Sequence, residues 1–217
     1  MIAAMPRRAL ATREASWAKR LAAALGRIGV RPNAVSIASL ACAFTALAAF
    51  LSVPWLAPSA RPIAFVAAAA AIQLRLLCNL LDGMLAVEGG LGTRTGDLYN
   101  EIPDRLADVA ILVGAGCAIG AGAAGALLGW GAAASAIFTA YVRLLGGSLG
   151  LTQQFIGPMA KQHRMFVITL AAMVSAGESF MGWPPVAMRS ALVLVLAGSL
   201  VTACRRIRRM ARALEAR

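Results

Sequence analysis

The chain alternates long apolar runs with short polar ones. No charged residue lies between Arg31 and Arg61 or from Val109 to Val142, residues 62 to 81 carry only Arg75, and residues 165 to 188 carry only Glu178. Residues 190 to 204 are apolar up to a basic tail. A helix needs about 20 apolar residues to cross the hydrocarbon core, and an open strand there would leave its backbone polar groups unsatisfied. The run from Val109 is too long for one span, and its piece IGAGAAGA at 119 to 126 predicts a tight hairpin between two helices. Six spans follow, at roughly 34–54, 62–87, 100–121, 124–149, 163–181 and 185–206. The pattern predicts an all-α integral membrane protein.

A different periodicity precedes the first span. Residues 11 to 30 place Trp17, Leu21, Leu25 and Ile28 at helical spacing opposite Arg13, Lys19, Arg20 and Arg27, the pattern of a helix lying on the cytoplasmic membrane surface. The chain thus divides into an arm with an interfacial helix (1–30), a six-helix membrane domain (31–206) and a basic tail (207–217), with no repeat and no second domain. No apolar stretch with a small-residue cleavage site follows the first basic residues, so no cleavable leader is expected.

Composition agrees with this reading: 60% of the residues are hydrophobic, 14% are charged, and the net charge is +12. With six spans and both termini cytoplasmic, only Arg61 and Arg189 of the 21 Lys and Arg residues fall outside, as the positive-inside rule requires. The charge is then a topology signal and an affinity for anionic lipid in a bacterial inner membrane. It does not point to nucleic acid, because the basic residues lie beside spans and lack interleaved aromatics. The cysteines Cys42, Cys78, Cys117 and Cys204 are scattered singly in apolar runs, so neither a disulfide nor a zinc site is implied.

The exception to the apolar pattern is the stretch from 79 to 108. Every acidic residue except Glu14, Glu178 and Glu215 lies between 82 and 108. Ionisable groups at membrane depth are costly and tend to face a cavity. At 100° per residue, Arg75, Asn79, Asp82 and Ala86 lie within about 60° of one another, and Asp97, Asn100, Glu101, Asp104 and Asp108 within about 100°. Two helices can therefore present oxygen-rich faces to each other. Pro103 removes a backbone donor and predicts a helix start near Asn100, or a kink there. Oxygen-only ligands suit Mg2+, Mn2+ or Ca2+, and the glycines Gly83, Gly89, Gly90, Gly92 and Gly96 let a phosphate approach the backbone. For Glu88, Asp97 and Asp108 taken singly, a helix-end charge serving topology is the better reading.

The spacing resembles that of the CDP-alcohol phosphotransferase family, D-x2-D-G-x2-A-R-x8-G-x3-D-x3-D. Here it runs Asn79-x2-Asp82-Gly83-x2-Ala86-Val87-x8-Gly96-x3-Asn100-x3-Asp104, with every gap matched. The segment PNAVS at 32 to 36, Arg143, and the loop GPMAKQHRM at 157 to 165 resemble further family features, so the likeness covers residues 31 to 206. The resemblance implies transfer of a phosphoalcohol group from a CDP-linked donor, CDP-diacylglycerol in lipid-synthesising members, to a small alcohol acceptor with release of CMP. It implies a homodimer and two divalent metals, usually Mg2+ (or Mn2+), gathered by four aspartates. Carried over by position, Asp82, Asp104, Asn79 and Asn100 are the metal ligands and Asp104 the general base. Gly83, Ala86 and Gly96 line the nucleotide and phosphate pocket, where Asn33 and Ser36 are a family expectation whose simpler reading is a turn and helix cap. Arg143, Lys161 and Arg164 bind the acceptor, and such a cluster suits an anionic one.

Three positions depart from the family pattern. Asn79 and Asn100 stand for aspartates and leave the site two charges short, although an amide still offers a carbonyl oxygen to a hard cation. Weaker metal binding, or a single metal, is the direct expectation. Asp97, Glu101 and Asp108 are the carboxylates able to restore charge. Val87 removes a guanidinium, for which Arg94 or Arg75 can compensate if either reaches the phosphate. An active transferase is the leading reading. The alternatives are a non-catalytic member that binds nucleotide or lipid, and a small transporter built around the polar cavity.

Overall fold

A computed structural model of the chain describes residues 15–87, 89–91, 93, 95–120, 122–152 and 156–216. Among them are seven α-helices and no strand: α1 (Ser16–Arg27), α2 (Pro32–Ser52, extended by a 3-10 turn Val53–Trp55), α3 (Arg61–Val87), α4 (Gly96–Cys117), α5 (Ala123–Ser148), α6 (Lys161–Phe180) and α7 (Val186–Glu215). Pro32–Trp55, Arg61–Val87, Ala123–Ser148 and Val186–Glu215 are long and apolar enough to cross a membrane. Their outward residues, among them Ile37, Phe44, Val66, Leu74, Leu127, Val193 and Leu200, are exposed and apolar. That is the surface of a protein solvated by lipid. Helices α4 and α6 are less apolar because they carry Asp97, Glu101, Asp104, Asp108, Lys161 and Arg164.

The six long helices close into a ring in the order α2, α4, α5, α7, α6, α3, with α1 packed on α3. Consecutive in sequence, α3 and α4 are not packed neighbours in this ring. Long side chains bridge the space between them. The apolar core runs through the ring from Phe50 and Phe65 to Ile111, Ile168 and Leu192.

Local sequence explains the closest contacts. The hairpin expected at 119 to 126 forms, with α4 and α5 joined by residues 118 to 122. A Cβ on Gly116 would lie 2.5 Å from the carbonyl oxygen of Gly125 and 2.7 Å from Cα of Gly129, so only glycine permits this approach. Glu178, a lone charge in an apolar run, accepts hydrogen bonds from the Ala187 backbone N–H at 3.0 and 3.2 Å. It satisfies an orphan donor in the first turn of α7. Helix α4 starts at Gly96, earlier than Pro103 led one to expect, and runs through the proline. The basic tail is likewise not separate: its Ala, Leu, Met and Arg residues are strong helix formers and continue α7 to Glu215.

Helix α1 forms within the segment read as interfacial. Its Ala18 and Ala22 are buried against Leu81, Met84 and Leu85 of α3, while Trp17, Leu21 and Ile28 remain exposed. Arg7, Arg8, Arg13 and Glu14 lie outside the described residues.

Candidate active site at one end of the bundle

Helical periodicity puts Arg75, Asn79 and Asp82 on one face of α3, and Asp104 and Asp108 on one face of α4. Asp104 is the junction. Its Oδ1 accepts from Asn79 Nδ2 at 3.0 Å, from Arg75 Nη2 at 3.4 Å and from Lys161 Nζ at 2.5 Å. Arg105 Nη2 lies 3.6 Å from its Oδ2. Three helices, α3, α4 and α6, thus meet on one carboxylate.

Asp108, one turn further along α4, is fully buried. Its two oxygens are divided between helices: Arg75 Nη2 donates to Oδ1 at 3.0 Å and Arg164 Nη2 to Oδ2 at 2.9 Å. Arg75 is itself fully buried and Arg164 is 2% exposed. Arg164 also donates from Nη1 to the Met159 carbonyl at 3.0 Å and to Thr139 Oγ1 at 3.3 Å. Asp108, read from sequence as a helix-end charge, is therefore the anchor that ties α3 and α6 to α4. Its place four residues after Asp104, inside an apolar run, was the available signal.

Asp82 is buried and accepts the Ser36 hydroxyl at 2.6 Å. Ser36 is not a cap: Arg31 is the N-cap residue of α2 and no side chain caps that helix, while Asn33 sits half-buried in its first turn. Among the described residues Asp82 has no ion-pair partner. Gly83 and Ala86 follow it, half-buried, on α3, and Gly96 opens α4. Asn100 is exposed. Arg94 lies outside the described residues.

Two compensations expected from sequence take other partners. Arg75 is enclosed by Asp104 and Asp108 rather than presented to a phosphate. Glu101 and Asp108 do not restore charge to a metal site, because Glu101 pairs with Arg143 at 2.5 Å and lies 3.8 Å from Arg105, and Asp108 is held by two arginines. Asp97 is exposed in the first turn of α4. His163 Nδ1 contacts the Pro158 carbonyl at 2.9 Å at the exposed start of α6.

Beside the site, α1 and the end of α3 enclose a groove of about 470 Å³. Lys19 and Arg27 line it together with Ala22, Met84, Leu85 and Leu91.

This architecture has solved counterparts. Mycobacterium tuberculosis phosphatidylinositol phosphate synthase (PgsA1) with CDP-DAG bound superposes with a TM-score of 0.69 at 21% identity, over 90% of this chain and 94% of that one. The chain has the CDP-alcohol phosphotransferase fold. The same enzyme in complex with manganese and citrate gives a TM-score of 0.68 at 21% identity over 89% and 88% of the two chains. In sequence, the chain is 26% identical over 197 residues to phosphatidylinositol phosphate synthase of Mycobacteroides abscessus, covering 86% of this chain and 80% of that protein. It is 27% identical over 180 residues to the inner membrane protein YnbA of Escherichia coli strain K12, covering 82% and 84%. No protein-family model matches the chain. Within the CDP-alcohol phosphotransferase fold, the two motif halves lie on α3 and α4.

The residues present fit a divalent cation on the α3 side. Asp82 is a carboxylate with one hydroxyl partner and, among the described residues, no ion pair, and the Asn79 amide uses its nitrogen on Asp104, which leaves its carbonyl oxygen as a donor to a hard metal. On the α4 side the fit is poorer, because Asp104 Oδ1 already faces three N–H groups.

Proposed function

We propose that the protein is a membrane transferase of phospholipid synthesis that moves a phosphatidyl or related phosphoalcohol group from a CDP-linked donor, CDP-diacylglycerol, to a small hydroxyl acceptor and releases CMP. The observation that carries this reading is the hydrogen bond from Asn79 of α3, one turn from Asp82, to Asp104 of α4, in the fold seen with CDP-DAG bound in the mycobacterial enzyme.

The transfer forms a bond from the acceptor oxygen to the donor's lipid-side phosphorus and breaks the bond from that phosphorus to CMP. The acceptor proton passes to Asp104, whose Oδ2 has only the more distant Arg105 beside it among the described ion pairs. Asp82, with the amide oxygens of Asn79 and Asn100, would hold a divalent ion, Mg2+ or Mn2+, which would supply charge neutralisation for the pyrophosphate and the departing CMP. Gly83, Ala86 and Gly96 let the nucleotide approach the backbone, Asn33 and Arg94 are its further candidate ligands, and Ser36 fixes the rotamer of Asp82. Arg105 and Lys161 keep the Asp104 side cationic, which suits an anionic acceptor; Arg143 and Arg164 shape that side through Glu101 and Asp108.

In this reading α2 to α7 are six spans and α1 lies in the interface of a bacterial inner membrane, with the termini and the site cytoplasmic. The groove between α1 and α3, with basic residues beside an apolar floor, suits an anionic membrane lipid. A homodimer completes the assembly. Purified protein given CDP-diacylglycerol, Mn2+ or Mg2+ and a panel of polyols and polyol phosphates is expected to release CMP with at least one acceptor. If no acceptor raises CMP above an Asp104→Ala control, the protein is a nucleotide- or lipid-binding member instead.

A further inference from the structure

The family resemblance brings two divalent ions, but the charges on this site are arranged differently. Glu101, Asp104 and Asp108 pair with Arg75, Arg105, Arg143, Lys161 and Arg164, so three carboxylates already meet five fixed cations, while Asp82 accepts the Ser36 hydroxyl. Asp104 Oδ1 alone faces Lys161 Nζ, Asn79 Nδ2 and Arg75 Nη2 at 2.5, 3.0 and 3.4 Å. A carboxylate oxygen has two lone pairs, and three N–H groups leave none directed at a metal.

The unsatisfied atoms point the same way. Among the described residues, the buried side-chain atoms here without a hydrogen-bond partner are Nε and Nη1 of Arg75, Nε of Arg105, Nε of Arg164, and one acceptor, Oε2 of Glu101, which lies 3.8 Å from Arg105. A site built for two more cations would leave acceptors orphaned. This one leaves donors, which an anionic ligand's oxygens or water satisfy. Nor do three Asp, Glu, His or Cys side chains converge anywhere among the described residues.

Asn79 fits this scheme better than an aspartate would. Its 3.0 Å contact with Asp104 is a hydrogen bond donated by the amide; two ionised carboxylates at that distance would repel and need a shared proton or a metal ion between them. Asp82, without an ion-pair partner among the described residues, is the one motif carboxylate left to bind metal.

We propose that this variant site holds one divalent ion, on Asp82, and that the Lys161 ammonium with the Asn79 amide fills the place beside Asp104 that a second ion would take. The inference rests on the transferase reading above for its chemistry but is tested by ion counting, which does not require turnover. Purified full-length protein is titrated with Mn2+ and free ion is followed by electron paramagnetic resonance, with CMP release measured in parallel. The wild type is expected to bind one Mn2+ per chain, and Lys161→Met combined with Asn79→Asp to bind two. Lys161→Met alone is expected to lower CMP release about 100-fold, the scale of losing one preorganised electrostatic contact. Two Mn2+ per wild-type chain, or none, overturns the proposal, and so does a double variant that still binds one. If no CMP is released by any form while the ion counts follow expectation, the transferase reading fails and the charge replacement stands.

Discussion

Asp108→Asn tests the anchoring role of the buried ion network. The substitution keeps the shape of the side chain and removes its charge. In the native protein one oxygen of Asp108 takes Arg75 at 3.0 Å and the other takes Arg164 at 2.9 Å, and all three side chains are buried. The amide can accept at only one oxygen, so one guanidinium loses its acceptor and both lose their counter-charge. Removing one partner of a buried ion pair costs about 3–5 kcal/mol, because the remaining charge stays desolvated. For a chain of this size, about 2–4 °C per kcal/mol converts that to a fall of roughly 6 to 20 °C in the unfolding midpoint. The assay is thermal unfolding of detergent-solubilised protein, followed by reaction of its free cysteines with a thiol dye. Asp97→Asn, at an exposed position of the same helix, is the control and should lose at most about 1 kcal/mol. A midpoint for Asp108→Asn equal to that of the control would refute the reasoning. Arg164→Met added to Asp108→Asn should cost less than the sum of the two single changes, since the pair is then removed together.

Two other outcomes follow from named contacts. Ser36→Ala removes the 2.6 Å hydrogen bond to Asp82 and should weaken Mn2+ binding about tenfold, the scale of one hydrogen bond to a charged group; an unchanged Mn2+ titration would mean that Ser36 does not position Asp82. Lys19→Gln with Arg27→Gln removes two cations from the groove between α1 and α3 and should weaken binding to vesicles rich in anionic lipid by about 2 kcal/mol, with no change on neutral vesicles. Equal loss on both vesicle types would assign the groove to apolar contact alone.

The elements were legible because hydrocarbon thickness and hydrogen-bond satisfaction leave few options. Uncharged runs marked the helices, and the small-residue run at 119 to 126 marked the α4–α5 hairpin that Gly116 and Gly125 permit. Boundaries were less legible. Pro103 lies inside α4, and the basic tail continues α7, since charge alone does not end a helix of strong helix formers. At the site, the spacing of Asn79, Asp82, Asn100 and Asp104 predicts polar faces on two helices; the structure joins Asn79 to Asp104 directly and leaves Asn100 exposed. What the spacing did not reveal was the partner of each charge. By spacing Arg75 is available to a phosphate and Arg164 to an anionic acceptor, yet both are buried on Asp108, and Ser36, which reads as a cap, reaches Asp82, 46 residues along the chain. Such pairings depend on the closure of the helix ring, which no local pattern encodes.

The account's central claim is that phosphatidyl transfer occurs at the meeting of α3 and α4. The most direct measurement follows radiolabelled CDP-diacylglycerol with purified protein, Mn2+ and the best acceptor of the panel, counting CMP and labelled lipid product together. The account predicts one CMP for each phosphatidylated acceptor, none without acceptor, and loss of both products in Asp104→Ala. CMP released without an acceptor-linked lipid, or equal product from Asp104→Ala, would contradict it.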